Sequence, residues 1–282
     1  MRKLSISILS AILLSNSVYG GGGWVFQKNQ GYLKFGQNVI RAESFFGPNG
    51  DATSIPTTSL YTTSLYGEYG LTDRLNAIAY VPLFVRATVN EVQFRQSGAN
   101  QPGQEKSTLI GDVDLGIKYG IIQDGPIVLA ASLLLGLPFG NSEITAENIL
   151  QTGDGEFNQL ISLEASHSFY PAPVYASIAV GFNNRTNGFS EEVHLGAEIG
   201  YTLKNLTIIM KCKNVSSLYN GDGSASAANG VFANNTEYFS YTPELAYLFN
   251  DKIGFTASAG LALSGKRILA APNYGVGFFM NL

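Results

Sequence analysis

Two histidines could supply acid–base chemistry, since the 282-residue chain contains no others. Nucleophilic catalysis needs such a base within hydrogen-bond reach of a hydroxyl group. His167 is followed by Ser168, which an extended chain turns to the opposite face, and the residue two positions after His194 is Gly196. Neither arrangement puts a serine beside a histidine, so we expect that the protein is not an enzyme. A barrel lipid hydrolase whose serine and histidine lie on different strands is the weaker alternative.

The rest of the composition argues against other chemistry. The single cysteine, Cys212, excludes an intramolecular disulfide and any multi-cysteine zinc or iron–sulfur site. With only two histidines besides, we expect no metal and no cofactor. Charged residues make up 13% of the chain, about half of the usual share near 25%. The 45% of hydrophobic residues exclude a disordered chain, and the 32 glycines favour many strands and turns.

Charged side chains recur at every second position in two long runs. From 111 to 119, Asp112, Asp114 and Lys118 alternate with valine, leucine and isoleucine. From 192 to 203, glutamate, histidine and glycine alternate with apolar residues in the same way. A helix cannot separate these two sets, whereas a strand of period two does so. Both runs are long enough to cross a membrane as β-strands, which takes about 9 to 11 residues.

The first twenty residues have the pattern of a secretory leader. Arg2 and Lys3 form a basic start, residues 4–14 are mostly apolar, and Val18 and Gly20 supply small residues at the cleavage site. We therefore predict a signal peptide over residues 1–20 and one mature domain over residues 21–282. Removing two of the 17 basic residues leaves 15 against 21 acidic residues. This acidic balance argues against nucleic acid as a partner.

The same period-two pattern predicts twelve strands along the mature chain. They lie near 31–45, 58–70, 75–87, 108–119, 127–137, 156–169, 174–184, 191–203, 206–215, 236–248, 253–264 and 273–282. Short turns alternate with long loops, which is typical of barrels in the bacterial outer membrane. We therefore predict an all-β fold, a transmembrane antiparallel up-and-down β-barrel of about 12 strands that is exported to the bacterial cell outer membrane.

Aromatic residues mark one end of this barrel. An aromatic side chain precedes each of five short turns, always on the apolar phase of its strand, where a ring can lie at the level of the lipid headgroups. The predicted girdle consists of Tyr69, Tyr119, Phe169, Tyr201 and Tyr247. The last strand alternates up to Leu282, which resembles the assembly signal of outer-membrane proteins. We expect outer-membrane lipid and the barrel-assembly machinery as partners.

The opposite phase of the strands must line the lumen. The predicted lumen-lining residues are Lys34, Glu68, Asp112, Asp114, Lys118, Glu164, Glu192, His194, Glu198, Lys211, Lys213 and Glu244. Both signs of charge occur, so the side chains can pair across the interior, and a structural charge ladder is favoured over an ion-selective pore.

In a long outer loop, Ser142 could cap a short helix that runs to Gln151.

Short motifs, in the same order over most of the mature chain, resemble one known family. They are Gly23-Trp24 with Lys28 and Gly31-Tyr32, Tyr69-Gly70-Leu71-Thr72-Asp73, Val81-Pro82, the run from Gly111 to Tyr119, Leu137-Pro138-Phe139-Gly140 and Gly153-Asp154-Gly155. The pattern resembles the MetA-pathway phenol-degradation family of outer-membrane barrel proteins. The resemblance implies a barrel loosely like the fatty-acid and aromatic-hydrocarbon transporters, and passage of small apolar compounds. Those transporters carry a long N-terminal plug, whereas only about ten residues separate the predicted cleavage site from the first strand here.

These observations predict an outer-membrane barrel that acts as a passive channel or transporter for small, hydrophobic or aromatic solutes. The inner-phase tyrosines Tyr66, Tyr80 and Tyr175 would give such solutes an amphipathic lining. The alternative is a structural or adhesive barrel whose outer loops bind partners.

Overall fold

The computed structural model describes residues 22–93, 100–145, 147–222 and 232–282. The predicted signal peptide lies outside these residues. The described chain forms the strands β1 (Gly31–Phe46), β2 (Ala52–Gly70), β3 (Leu75–Val89), β4 (Val92–Gln93), β5 (Asn100–Gln101), β6 (Gln104–Thr108), β7 (Val113–Ile122), β8 (Ile127–Leu137), β9 (Asn158–Ser168), β10 (Val174–Arg185), β11 (Glu192–Leu203), β12 (Leu206–Ser217), β13 (Glu237–Leu248), β14 (Ile253–Lys266), β15 (Ile268–Leu269) and β16 (Asn273–Asn281). In this part of the chain, no helix is long and apolar enough to span a membrane.

Twelve of these strands form a closed antiparallel barrel. Around the wall the order is β1, β2, β3, β7, β8, β9, β10, β11, β12, β13, β14 and β16, and each strand pairs with its neighbours. Pairing of β1 with β16, from Tyr32 opposite Asn281 to Ile40 opposite Asn273, closes the ring. A closed ring satisfies the backbone hydrogen bonds of every wall strand without leaving a free edge, as a lipid environment requires. The predicted twelve-stranded barrel is therefore confirmed.

Short strands complete the wall and the loops beyond it. β6 pairs with the upper part of β3, from Val85 opposite Thr108, whereas β7 pairs with the lower part, from Leu75 opposite Tyr119 to Tyr80 opposite Asp114. β15 pairs with the last residues of β1. β4 and β5 form a separate two-stranded sheet. We call the end with the short turns, at 71–74, 123–126, 169–173, 204–205 and 249–252, the lower end of the barrel, and the opposite end the upper end.

The alternating sequence places apolar side chains on the outside of the wall. Leu115, Leu195 and Ile199 are exposed, while inner-phase residues of the lower end, such as Asn76 and Thr256, are buried. A wall whose outer face is apolar and whose inner face is polar is stable only with lipid outside. The strand period thus determines which side chains can reach the lumen.

The predicted helix from Ser142 to Gln151 is wrong. The described residues of this segment are irregular. The Asn141 side chain accepts a hydrogen bond from the Glu143 amide, and the Thr145 hydroxyl accepts one from the Asn148 amide. Such local side-chain bonds compete with the helical hydrogen bonds. The loop is therefore a series of turns that lies against β6, where Asn148 donates to the Glu105 carbonyl.

Candidate functional site: the lumen of the barrel

A buried charge cluster occupies the lower end of the lumen. The Lys118 ammonium lies 3.3 Å from a Glu68 carboxylate oxygen and 3.6 Å from one of Glu164. Asn76 donates to Glu68 at 2.7 Å, and Ser132 donates to Glu164 at 2.9 Å. The structure thus brings together three of the residues that the sequence assigns to the lumen. We call Glu68, Lys118 and Glu164 the lower cluster.

Residues 22–30, the N-terminal segment, enter the lumen beside this cluster. The Gly23 amide donates to the Ser166 hydroxyl at 2.7 Å, and the Gly23 carbonyl accepts from the Gln123 amide at 2.8 Å. The Lys118 ammonium contacts the Gly22 carbonyl at 3.4 Å. At Asn29, whose φ is 67°, the chain turns out of the lumen into β1, since Asn tolerates this left-handed conformation better than most residues.

Aromatic side chains of the N-terminal segment pack on opposite walls. Trp24 contacts Tyr175 of β10 edge to face, with ring centroids 5.7 Å apart. Phe26 packs against the buried cluster of Tyr32, Ala246, Leu248 and Phe279, which belongs to β1, β13 and β16. Because β10 lies across the ring of strands from β1, the segment crosses the lumen. The period-two pattern carries no signal for this placement, since the segment is not a strand.

A central cavity of about 210 Å³ lies among inner-phase residues of the wall. Its lining includes Tyr32, Tyr66, Tyr80, Lys34, Lys211, Glu198, Glu244 and Ser258. Lys211 pairs with Glu244 at 3.2 Å and lies 3.9 Å from Glu198, and the Tyr175 hydroxyl donates to Glu198 at 2.5 Å. The paired charges leave a weak net field in the cavity, and the phenol rings offer apolar faces with polar edges. This lining suits a small solute that is partly aromatic.

An arginine that the sequence analysis did not single out organises the upper end. The Arg185 guanidinium bonds Glu156 at 2.6 Å, Glu192 at 2.7 Å and Asp154 at 3.2 Å. It also lies 4.5 Å from the centre of the Phe189 ring. The pattern gives one signal that could have found it, because Arg185 continues the inner phase of Asn183 at the end of β10. The two loop carboxylates, Asp154 and Glu156, carry no such period.

The remaining predicted lumen residues lie around this upper network. His194 bonds Glu192 at 3.0 Å, and the Lys213 ammonium lies 5.9 Å from the centre of the Tyr238 ring. Asp112 accepts hydrogen bonds from the amides of Gly140 and Asp154, both at 2.9 Å, and so holds a loop at the rim. Asp114 of β7 lies opposite Tyr80 of the neighbouring strand β3.

Burial raises the pKa of two carboxyl groups at this rim. It raises the pKa of Asp112 to about 6, against the opposing effect of the Gly140 amide. Burial likewise raises the pKa of Glu156, although Arg185 acts in the opposite direction. The Asp112 carboxyl at the rim therefore takes up a proton at a higher pH than a solvated aspartate does.

The aromatic residues of the predicted girdle lie at the lower end and point outward. Tyr69, Tyr119, Phe169, Tyr201 and Tyr247 are between 39% and 50% exposed. Tyr69 also donates to the Asn29 side chain at 3.3 Å.

Neither histidine is arranged for nucleophilic catalysis. His167 contacts the Pro126 carbonyl at 2.5 Å and packs edge to face on Phe169. His194 bonds Glu192. In the described ranges neither ring is hydrogen-bonded to a serine hydroxyl, which is the contact that a Ser–His pair needs for nucleophilic catalysis.

Comparison with known proteins places the fold. No protein-family model matches the chain, and no curated protein sequence matches it. Among solved structures it is similar to the COG4313 outer membrane channel from Pseudomonas putida F1, with a TM-score of 0.62 and 13% identity, covering 94% of this chain and 100% of that one. It is also similar to the KdgM porin in complex with disordered oligogalacturonate, with a TM-score of 0.50 and 10% identity, covering 89% of this chain and 99% of that one. The chain therefore shares the β-barrel fold of these outer-membrane proteins, the fold that its motifs implied.

Proposed function

We propose that the protein is a passive channel of the bacterial outer membrane for small, weakly polar or aromatic solutes. The observation that carries this proposal is the central cavity, where tyrosine rings and neutralised charge pairs line the same space. A solute with an aromatic body and one polar group can contact both kinds of side chain there. Two of the similar structures are a channel and a porin, and this supports transport over catalysis.

The cavity favours such a solute over a strongly charged one. Lys211 is already paired with Glu244 and lies near Glu198, so an ion would have to compete with an existing partner. A phenol or a short alkyl compound needs no such exchange, because the faces of Tyr66 and Tyr80 remain in contact with the cavity. We infer transport along the lumen, driven by the concentration gradient alone.

Export through a cleaved leader belongs to the same proposal. The sequence pattern of residues 1–20 supports it, and the apolar outer wall of the barrel suits the membrane to which that leader would deliver the chain. Lipid and the barrel-assembly machinery would then be its partners during insertion.

A structural barrel is the second candidate, because one observation favours it. The N-terminal segment crosses the lower lumen and packs there against buried aromatic rings. If the segment stays in place, the barrel would be closed at this end, and the upper loops would be its functional surface.

Filling the cavity distinguishes the two candidates. Ser258 lines the cavity, and Ser258→Trp should obstruct it, whereas Ala257→Trp places the same ring on the outer phase of the same strand. We expect Ser258→Trp to slow uptake of a dilute labelled alkylphenol into cells several-fold, and Ala257→Trp to leave it unchanged. A sugar serves as the control solute. Equal alkylphenol uptake by cells with the native protein, with Ser258→Trp and without the protein would overturn the channel proposal.

A further inference from the structure

The lower cluster contains more buried acid than base. Glu68 and Glu164 face one ammonium, that of Lys118. The side chains of Lys118 and Glu68 are almost inaccessible to solvent, and that of Glu164 is 14% exposed. An unbalanced buried carboxylate is costly unless a second cation or several hydrogen bonds compensate it. Glu68 has such bonds, from Asn76 and Tyr66. Among the described residues, one oxygen of Glu164 has the Lys118 ammonium as its one charged partner, at 3.6 Å.

A second unsatisfied group lies beside Glu68. Asn76 is completely buried, donates to Glu68 through its amide nitrogen, and its side-chain oxygen has no hydrogen-bond partner among the described residues. Buried polar atoms are nearly always paired. The region around the lower cluster therefore offers acceptors and negative charge, and what it lacks is a small group with several N–H donors.

The chain itself passes this point. A methyl group added at Gly22 would lie 2.5 Å from the Ser166 hydroxyl and 2.6 Å from that of Ser177. A methyl group at Gly23 would lie 2.8 Å from the Glu164 carbonyl. The Gly22 carbonyl also contacts Lys118. The Gly22 backbone therefore lies directly beside the lower cluster.

We propose that the lower cluster, with Ser166 and Ser177, is a binding site for a primary ammonium group, and that its occupant is the α-ammonium that leader removal creates on Gly21. The inference relies on the proposed cleavage after Gly20 and is independent of what the channel carries. The new ammonium supplies the second positive charge and three N–H donors. In the unprocessed chain this nitrogen belongs to a neutral peptide bond and carries no charge. Processing is thus the step that allows the N-terminal segment to bind.

The reactivity of the α-amine tests this site directly. Cyanate is a small reagent that carbamoylates neutral α-amines, whose ordinary pKa is about 8. In the mature protein purified from membranes, we expect carbamoylation of the amine on Gly21 at pH 8 to be at least about tenfold slower in the folded barrel than after unfolding, since ion pairing keeps the group protonated and covered. Peptide mass spectrometry measures the rate and identifies the first residue of the chain.

Two matched variants separate ion pairing from simple enclosure. Glu164→Gln keeps the shape of the site and removes its charge, so it should return most of the lost reactivity. Glu198→Gln removes a lumen carboxylate from the central cavity, and it should leave the rate unchanged. A Glu164→Gln rate equal to that of the native protein would overturn the proposal, because enclosure alone would then explain the protection.

A monovalent cation from solution has the same chemistry as the α-ammonium, and the experiment distinguishes the two. If such a cation fills the site, the α-amine reacts equally fast in the folded and the unfolded protein, and added ammonium chloride raises the unfolding temperature of the native protein but not that of Glu164→Gln. That result would overturn the assignment to the chain's own terminus, as would a mature chain that begins far from Gly21. Neither result depends on solute uptake, so failure here leaves the channel proposal to its own test.

Discussion

The lower end of the lumen and the central cavity use the same residue types in opposite ways. In the lower cluster, the side chains of Lys118 and Glu68 are 4% and 2% exposed. In the cavity, the Lys211 side chain is 34% exposed while it contacts Glu198 and Glu244. Both lysines lie on the inner phase of a strand and both face two carboxylates. The difference goes with the N-terminal segment, whose Gly22 carbonyl contacts Lys118 directly.

Two glycines, Gly254 and Gly196, differ in the same sense. A methyl group at Gly254, in the lower end, would collide with the Phe279 ring and lie 2.5 Å from the Tyr247 carbonyl. At Gly196, higher in the wall, the nearest atom is the Ala179 methyl group at 3.5 Å. The lower end is thus filled to contact, as a protein interior is. At Gly196 there is room for a larger side chain.

Replacing the buried lysine should have the largest effect. Lys118→Met leaves Glu68 and Glu164 without their shared cation, and breaking a buried ion pair in this way costs about 3 to 5 kcal/mol of unfolding free energy. Heat-modifiability on gels, followed as a function of temperature in detergent, measures the loss. Lys211→Met is the matched control. Its site is partly solvated, so the cost should stay below about 1 kcal/mol. Equal losses in the two variants would show that the regions do not differ.

Adding a methyl group should have a smaller effect in the same direction. Gly254→Ala forces Phe279 or the backbone to move, and such overpacking typically costs about 1 to 3 kcal/mol. Gly196→Ala has space and should be close to neutral. Urea unfolding of both variants in the same detergent gives the comparison. A neutral Gly254→Ala would mean that the lower end can rearrange, which would weaken the view that it is a packed core.

The alternation of the sequence was sufficient to predict the fold but not the filling of the lumen. A period of two determines the face of each residue, so the twelve strands and their outward apolar side chains could be predicted. It does not predict how deep in the barrel a residue lies or which side chains it contacts. Gly116 and Gly196 hold equivalent positions in the pattern, yet a methyl group at Gly116 would collide with the Leu133 carbonyl, while Gly196 stands open.

The parts that the sequence did not reveal lie outside the strands. The N-terminal segment has no periodicity, and its position depends on long-range partners such as Gln123 and Ser166. Arg185 meets two of its three carboxylates in a loop that has no regular pattern. The incorrect helix at 142–151 was a local reading that side-chain hydrogen bonds overrode.

The smallest expected effect concerns the carboxylates of the upper rim. Solvent protons reach these groups more easily than they reach the buried carboxylates of the lower end. Burial raises the pKa of Asp112 from 3.8 to about 6, so the folded barrel binds this proton more tightly than the unfolded chain does. Its contribution to stability is complete below about pH 4 and is lost as the pH rises through about 6. We expect Asp112→Asn to flatten the fall of the unfolding midpoint between pH 4 and pH 7 relative to the native protein. Asp124→Asn, on an exposed turn beside Arg74, should keep the native slope. Because groups common to all three proteins cancel in the differences, identical slopes for Asp112→Asn and the native protein would mean that Asp112 is as solvated as Asp124, and that the rim belongs with the open part of the lumen.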